Sequence, residues 1–238
     1  MATYNGERFV EEQLRSILAQ LHEGDEVVIV DDASADSTVA RIDALADRRV
    51  RVLREASNAG VRRSFDRALR ACRHPLIFLS DQDDVWLPDK RNALMAALQE
   101  GALLALSDAS VIDAQGRMLE ASFMDRRGGF AGSAAATFHK NRYLGCTMAF
   151  RRELLDDVLP IPPNVPMHDM WIGLLATVRG RVAYVDRPLM LYRRHDANVS
   201  PERRAGLATM IAWRWQLLRL MLQRKLRGPR PPRPEAAQ

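Results

Sequence analysis

Apolar positions in the first hundred residues alternate between a spacing of three to four and short unbroken runs. Over residues 7–20 they fall at Phe9, Val10, Leu14, Ile17 and Leu18, one face of a helix. Gly24-Asp25 breaks that period, and Glu26-Val27-Val28-Ile29-Val30 reads as a short buried strand ending at Asp31-Asp32. Residues 34–46 read as a helix capped by Ser34 or Asp36. Val50-Arg51-Val52-Leu53 reads as a strand, and residues 61–71 as a helix after the turn Asn58-Ala59-Gly60. Leu76-Ile77-Phe78-Leu79-Ser80 is the next strand. This alternation predicts an α/β fold, a mostly parallel open sheet flanked by helices with right-handed crossovers.

Beyond residue 100 the pattern loosens. Residues 103–107 and 110–113 read as strands, residues 128–136 as a mobile loop, and residues 145–150 as a short strand before a helix over 152–158. Pro160, Pro162, Pro163 and Pro166 form a stiff connector into a helix over 170–178, with late strands at 182–185 and 189–192. Residues 205–226 form one long helical pattern, and the Pro/Arg-rich stretch 228–238 reads as disordered. Thr3-Tyr4-Asn5-Gly6 looks like the loop after a buried strand, yet only Met1 and Ala2 precede it. The expectation is a truncated first strand, with the natural protein starting several residues upstream.

Composition narrows the class without naming it. The 238 residues suit one domain with a small appendage, and 47% hydrophobic with 27% charged content is ordinary for a soluble globular chain. Cys72 and Cys146 lie too far apart for a clustered thiolate site and fit a reducing compartment. No apolar run reaches the roughly 18 residues of a membrane span, and the start lacks the basic and apolar regions of a signal peptide. The expected location is cytoplasmic, with peripheral association to the inner face of the plasma membrane. The net charge of +5 is local: Arg219, Arg224, Lys225, Arg227, Arg230 and Arg233 face only Glu235 after residue 218, and the rest is balanced. That placement favours an anionic membrane surface over nucleic acid as the partner of the tail.

Candidate chemistry gathers where strands stop. Asp81-Gln82-Asp83-Asp84 follows an apolar run, and three carboxylates in four residues repel one another unless a cation or hydrogen-bonding ligand neutralises them. A divalent metal carrying a diphosphate is one occupant. A solvated acidic turn leading into a helix near Pro88-Asp89 is the other reading. Asp31-Asp32-Ala33-Ser34 ends a strand on the same sheet edge and suits a base or ribose, or merely caps a helix. Asp169, after the proline connector, is either an N-cap or a general base for a hydroxyl nucleophile. His195 closes the last strand as a metal or phosphate contact, or as a surface histidine in a basic run.

Taken in order, Thr3-Tyr4-Asn5-Gly6, Asp31-Asp32-Ala33-Ser34, Asn58-Ala59-Gly60, Asp81-Gln82-Asp83, Gly145-Cys146-Thr147-Met148-Ala149-Phe150, His168-Asp169 and Tyr192-Arg193-Arg194-His195 resemble glycosyltransferase family 2. These are inverting transferases of the GT-A fold, and the resemblance covers about residues 1–200. Ser80-Asp81-Gln82-Asp83-Asp84-Val85-Trp86 and the ending at His195 look most like the rhamnosyltransferase-like branch of bacterial surface polysaccharide synthesis. The resemblance implies a GT-A domain over 1–204, with a nucleotide-binding half (1–100) and an acceptor half (101–204). An amphipathic helix (205–227) and a basic tail (228–238) follow.

It also implies roles. Thr3, Tyr4, Asn5, Asp31, Asp32, Asn58, Gly60 and Asp81 would hold the nucleotide sugar. Asp81 and Asp83 would form the D-x-D element for Mg²⁺ or Mn²⁺, with His195 as a further ligand, and Asp169 would be the base. The implied partners are a nucleotide-diphosphate sugar donor, with rhamnose one candidate sugar, and a glycan or lipid-linked acceptor. Most family members have Glu-Asp where this chain has His168-Asp169. Rival readings are a non-catalytic nucleotide-sugar- or glycan-binding relative and a sugar nucleotidyltransferase. The latter wants a glycine-rich basic phosphate loop that Thr3-Tyr4-Asn5-Gly6-Glu7 does not supply. In the last helix Met210, Trp213, Leu217, Leu220 and Met221 form a stripe, widened by Trp215, Leu218 and Leu222 and flanked by Arg214 and Arg219. It reads as an interfacial membrane helix or as a helix packed on the domain.

Overall fold

The computed structural model describes residues 1–196, 198 and 207–226. In chain order the elements are β1 (Ala2–Thr3), α1 (Val10–Leu18), β2 (Val27–Asp31), α2 (Thr38–Ala44), β3 (Val50–Arg54), α3 (Val61–Ala71), β4 (Leu76–Phe78), β5 (Val85–Trp86) and α4 (Lys90–Gln99). Then come β6 (Leu104–Asp113), β7 (Met118–Glu120), α5 (Ala134–His139), β8 (Met148–Arg151), α6 (Leu155–Val158), α7 (His168–Arg179), β9 (Val182–Arg194) and α8 (Leu207–Leu226).

β1, β2 and β3 form a parallel three-stranded sheet in that order. Only Ala2 and Thr3 stand in β1, and the buried Met1 ammonium donates to Val28 O at 2.8 Å. The second sheet runs β4-β8-β6-β9-β5, with β7 on β6. Here β6 and β9 are parallel, while β4–β8, β6–β8 and β5–β9 are antiparallel. Parallel pairing thus describes the first half, whose helices cross over between strands. The second half mixes directions because β4, β5 and β8 are short strands inserted beside β6 and β9.

Several pieces read separately in the sequence are continuous. β6 runs through Ser107-Asp108-Ala109, and β9 runs through Asp186-Arg187-Pro188; both carry register shifts where their patterns break. The end of the expected loop, residues 134–136, instead begins α5, whose N-cap Ser133 accepts from Ala136 N. Residues 145–147 form a 3-10 turn ahead of β8 rather than its first residues.

The main core lies under the second sheet, where α3 and α7 pack Phe65, Leu69, Trp171 and Leu174 against Leu104, Leu106 and Phe150. Removing each such side chain from water contributes about 1.5–3 kcal/mol. Leu217 of α8 joins this core, with Leu220 and Met221 packed against it. α8 therefore lies on the domain by one face. Trp215 (69% exposed), Leu218 and Leu222 face outward, beside the exposed Arg219. The stretch 228–238, expected to be disordered, lies outside the described residues.

Candidate active site

The carboxylate loop is held at both ends. β4 pairs with β8 just before it, and β5 pairs with β9 just after it. Between them the buried Gln13 of α1 donates through Nε2 to Ser80 Oγ (2.7 Å) and Asp81 O (3.1 Å). Gln82 reaches sideways: its Oε1 accepts from Tyr4 N at 2.8 Å and its Nε2 donates to Tyr4 O at 3.0 Å. An amide side chain thus joins the loop after β1 to the loop after β4. Gly6 permits that approach, since a Cβ there would stand 2.3 Å from Gln82 Oε1.

Each aspartate of the loop has a different surrounding. Asp83, only 9% exposed, has its Oδ2 2.8 Å from His195 Nε2 and 3.3 Å from Asn198 Nδ2. Asp81 is half-buried, and burial, then the charges of Asp83 and Asp169, push its pKa up to about 7. A carboxyl that resists ionisation beside two others is a place where added positive charge is favoured. Asp84 is fully buried; its Oδ1 accepts from Arg193 N at 3.0 Å, and its carboxyl also lies against the Cys146 thiol. Ligand atoms of Asp81, Asp84 and Cys146 lie within 4.8 Å of one another. Burial holds the Asp84 carboxyl and the Cys146 thiol well above their ordinary pKa values. Carboxylate oxygens and an imidazole nitrogen are ligand types that suit Mg²⁺ or Mn²⁺, but among the described residues the cluster that closes is Asp81, Asp84 and Cys146, whereas Asp83 pairs with His195.

The rim expected to hold the nucleotide is a hydrogen-bonded unit. Asp31 accepts from Thr3 Oγ1 (2.9 Å), Ser34 Oγ (2.6 Å) and Ser34 N (3.0 Å). Asp32 accepts from Ala59 N (2.7 Å) and Gly60 N (2.8 Å), fixing the turn that starts α3. Gly60 takes φ +88° there, a backbone region that a side chain strains. Asn5 N donates to Ser34 Oγ, and Asn5 Oδ1 accepts from Ala35 N, tying the loops after β1 and β2 together. Thr3, Asp31 and Asp32 are buried in these contacts, whereas Tyr4 (46% exposed) and Asn58 face outward. Ser34 spends its hydroxyl on Asp31 instead of capping a helix. The N-cap of α2 is Ser37, without a side-chain cap bond, and neither expected residue fills that position; Asp36 just before it accepts from Thr38 N at 2.9 Å.

Asp169 stands in the first turn of α7, after the N-cap Met167. Its Oδ1 accepts from Met170 N at 2.5 Å. Burial pushes its pKa up to about 6, against the lowering pull of the Met170 and Gly145 amides, Arg127 and Asn141. The charge of Asp169 is among those that raise the Asp81 pKa.

Three supporting residues were not legible in sequence. Lys90 is fully buried, with Nζ 2.5 Å from Cys146 O and 4.5 Å from the centre of the Trp86 ring. Burial lowers its pKa to about 8, against the raising charges of Asp84 and Asp81. Arg193, read only as part of a basic run, donates from Nε to Asp83 O (2.8 Å) and from Nη2 to Glu12 Oε2 (2.7 Å). Gln13 is a polar residue at an apolar helical position, and that is the only sequence signal it gives.

The family model "Glycosyl transferase family 2" matches residues 1–159. The chain belongs to glycosyltransferase family 2. Among family members, the dTDP-rhamnosyl transferase RfbG of Shigella flexneri is 28% identical over 216 residues, 83% of this chain and 72% of that protein. The UDP-Glc:alpha-D-GlcNAc-diphosphoundecaprenol beta-1,3-glucosyltransferase WfgD of Escherichia coli is 28% identical over 90 residues, 38% of this chain and 36% of that protein. S. aureus TarS in complex with UDP-GlcNAc superposes with a TM-score of 0.72 at 17% identity, covering 97% of this chain and 66% of TarS 1-349. The mannosyltransferase PcManGT from Pyrobaculum calidifontis, in complex with GDP-Man and Mn2+, gives 0.62 at 22% identity, covering 97% of this chain and 64% of that one. The family 2 chain therefore has the GT-A fold and spans about two thirds of these solved neighbours. Among its described residues no helix is long and apolar enough to cross a membrane.

Proposed function

We propose that this family 2 chain is a metal-dependent, inverting glycosyltransferase that moves a sugar from a nucleotide-diphosphate donor to a hydroxyl of a glycan or lipid-linked acceptor in surface polysaccharide synthesis. The observation that supports the reading is that Asp83 Oδ2 lies 2.8 Å from His195 Nε2 while the charges of Asp83 and Asp169 both act on Asp81. In this reading Tyr4 and Asn58 present the outward face of the nucleotide rim. Thr3, Asn5, Asp31, Asp32 and Gly60 shape that rim through the bonds described above. Asp83 and His195, with Asp81 beside them, hold the cation. When bound, that cation neutralises the negative charge that develops on the departing diphosphate.

Asp169 takes the proton of the acceptor hydroxyl as its oxygen bonds to the anomeric carbon. The bond from that carbon to the diphosphate oxygen breaks on the opposite side, so configuration inverts. One base suffices, because the diphosphate leaves as an anion. A pKa near 6 suits a general base, since Asp169 is ionised at neutral pH yet more basic than an ordinary aspartate.

The RfbG likeness makes a dTDP-rhamnose donor the first to try. The outward Trp215, Leu218 and Leu222 of α8, with Arg219 and the basic tail, support contact with an anionic membrane carrying the acceptor. A thermal-shift screen of sugar nucleotides with Mn²⁺ or Mg²⁺ tests the donor side, since a ligand bound only by the native state raises its melting temperature. One sugar nucleotide should stabilise the protein only when metal is present. Equal shifts with and without metal would contradict the cation's role.

A further inference from the structure

Phe9 is the N-cap residue of α1 and has no part in the scheme above. The helical period puts it on one apolar face with Val10, Leu14 and Ile17. Those three enter the apolar core against Val27 and Ile29 of β2, whereas Phe9 joins none of the apolar clusters formed by the described residues. Its ring is buried all the same, only 9% exposed. Around the ring stand the guanidinium carbons of Arg8 and Arg193, each 4.8 Å from its centre, and the His195 imidazole, 5.0 Å from centre to centre and tilted by 31°.

A buried aromatic ring set apart from the apolar core is not explained by core packing. Two of its three neighbours come from the end of β9, and both meet Asp83. His195 places Nε2 2.8 Å from Asp83 Oδ2, and Arg193 donates from Nε to Asp83 O at 2.8 Å. Arg193 also reaches back to α1, with Nη2 2.7 Å from Glu12 Oε2. Phe9 therefore stands where the start of α1 touches the end of β9, directly behind the contact with the carboxylate loop. The face of an aromatic ring carries partial negative charge, which attracts a guanidinium and gives an imidazole a flat surface to rest on. Such a ring contact leaves Nε2 on Asp83.

We propose that Phe9 is a positioning residue for the Asp83–His195 pair: its ring fixes the angle at which the imidazole meets Asp83, and so sets how well the pair holds a cation. The inference rests on the cation reading above and adds a residue that acts through His195. Groups behind a metal-binding imidazole orient it, and losing one lowers metal affinity about 10–100-fold. A leucine at position 9 would fill much of the space, but without the flat surface or the attraction for Arg193.

The test is calorimetric titration of dTDP, UDP and GDP, each with Mn²⁺ and with EDTA. Wild type is compared with Phe9→Leu, Phe9→Tyr, His195→Ala and the double variant Phe9→Leu with His195→Ala. Phe9→Leu should weaken Mn²⁺-dependent binding about tenfold and leave binding in EDTA unchanged. Phe9→Tyr, which keeps the ring, should stay near wild type. With His195 already replaced, Phe9→Leu should cause no further loss, since neighbours that act as one do not add. Phe9→Met carries the test if Phe9→Leu fails to fold. Unchanged Mn²⁺-dependent binding in Phe9→Leu, an equal loss in EDTA, a fall in Phe9→Tyr as large as in Phe9→Leu, or full additivity with His195→Ala overturns the assignment; a loss in His195→Ala then still supports the cation reading. If no nucleotide binds wild type more tightly with Mn²⁺ than with EDTA, or His195→Ala loses nothing, the cation reading falls and this inference with it.

Discussion

His195 Nε2 stands 2.8 Å from Asp83 Oδ2, although 112 residues separate them. β9 carries His195 to the loop after β4 because β5 pairs with β9 immediately beyond that loop. Arg193 reinforces the approach from its backbone N to Asp84 and from Nε to Asp83 O. A proton lies between the two atoms in this contact, and a cation held by both would take its place.

Asp83→Asn and His195→Ala should therefore each weaken Mn²⁺-dependent donor binding by about 10–100-fold, the scale seen when metal-site partners are lost. Metal-independent nucleotide binding should change little. Calorimetric titration of the nucleoside diphosphate with Mn²⁺ and with EDTA separates the two. Equal loss under both conditions would mean that the pair holds the loop and no cation.

Lys90 and Asp84 are both fully buried and electrostatically coupled beside Cys146. Removing the Lys90 ammonium leaves the buried Cys146 carbonyl without its donor, a loss of about 1–3 kcal/mol. Lys90→Met should lower unfolding free energy on that scale in urea. Lys90→Met with Asp84→Asn should cost less than the sum of the single changes. Strict additivity would show that the two charges do not support one another.

Asp32 accepts two backbone N–H bonds from Ala59 and Gly60. Bonds to a charged group contribute about 1.5–3 kcal/mol each, so Asp32→Ala should destabilise by a few kcal/mol and loosen the start of α3. Hydrogen exchange should quicken at Ala59 and Gly60 first. Unchanged protection there would remove Asp32 from its place as the clamp of the rim.

On α8, replacing Trp215, Leu218 and Leu222 by Ser leaves the Leu217 face packed on the core. Liposomes rich in anionic lipid should float with the wild-type protein at low salt and lose the triple variant. The same melting temperature for both would show that the domain is intact. Equal flotation of both proteins would assign membrane contact to another surface, and flotation of neither would exclude it.

Much of this architecture was readable because burial writes a period into the chain. Val27–Asp31 and Val61–Ala71 stand where apolar runs and helical spacing placed them. The strand-end carboxylates were legible one group at a time, but they do not share the expected sheet edge: Asp31-Asp32 ends a strand of the first sheet, and Asp81-Gln82-Asp83-Asp84 follows a strand of the second. What could not be read depends on contacts distant in sequence. β9 looked like two strands because Asp186-Arg187-Pro188 interrupts its apolar pattern while the backbone continues past a register shift. Lys90 drew no reading from the sequence, since nothing local marks a lysine whose ammonium meets the Cys146 carbonyl. Asp84, read as a supporting carboxylate, proves to be the most deeply enclosed of its cluster. That follows from β5 turning inward directly after it.

The central claim is that Asp169 is the base of a sugar transfer whose donor is held elsewhere. The most direct measurement is the pH dependence of transfer by wild type, set beside donor binding and transfer by Asp169→Asn. Wild-type kcat/KM should fall below pH about 6 as Asp169 protonates. Asp169 itself adds stability as pH falls, but the buried His168, whose pKa is pushed down from 6.5 to about 3, removes it below 6.5, so the melting temperature is followed at each pH to separate unfolding from protonation of the base. Asp169→Asn should bind donor with metal as tightly as wild type and lose about 10²–10⁴-fold in transfer. Transfer that survives in Asp169→Asn with an unchanged pH profile would contradict the account.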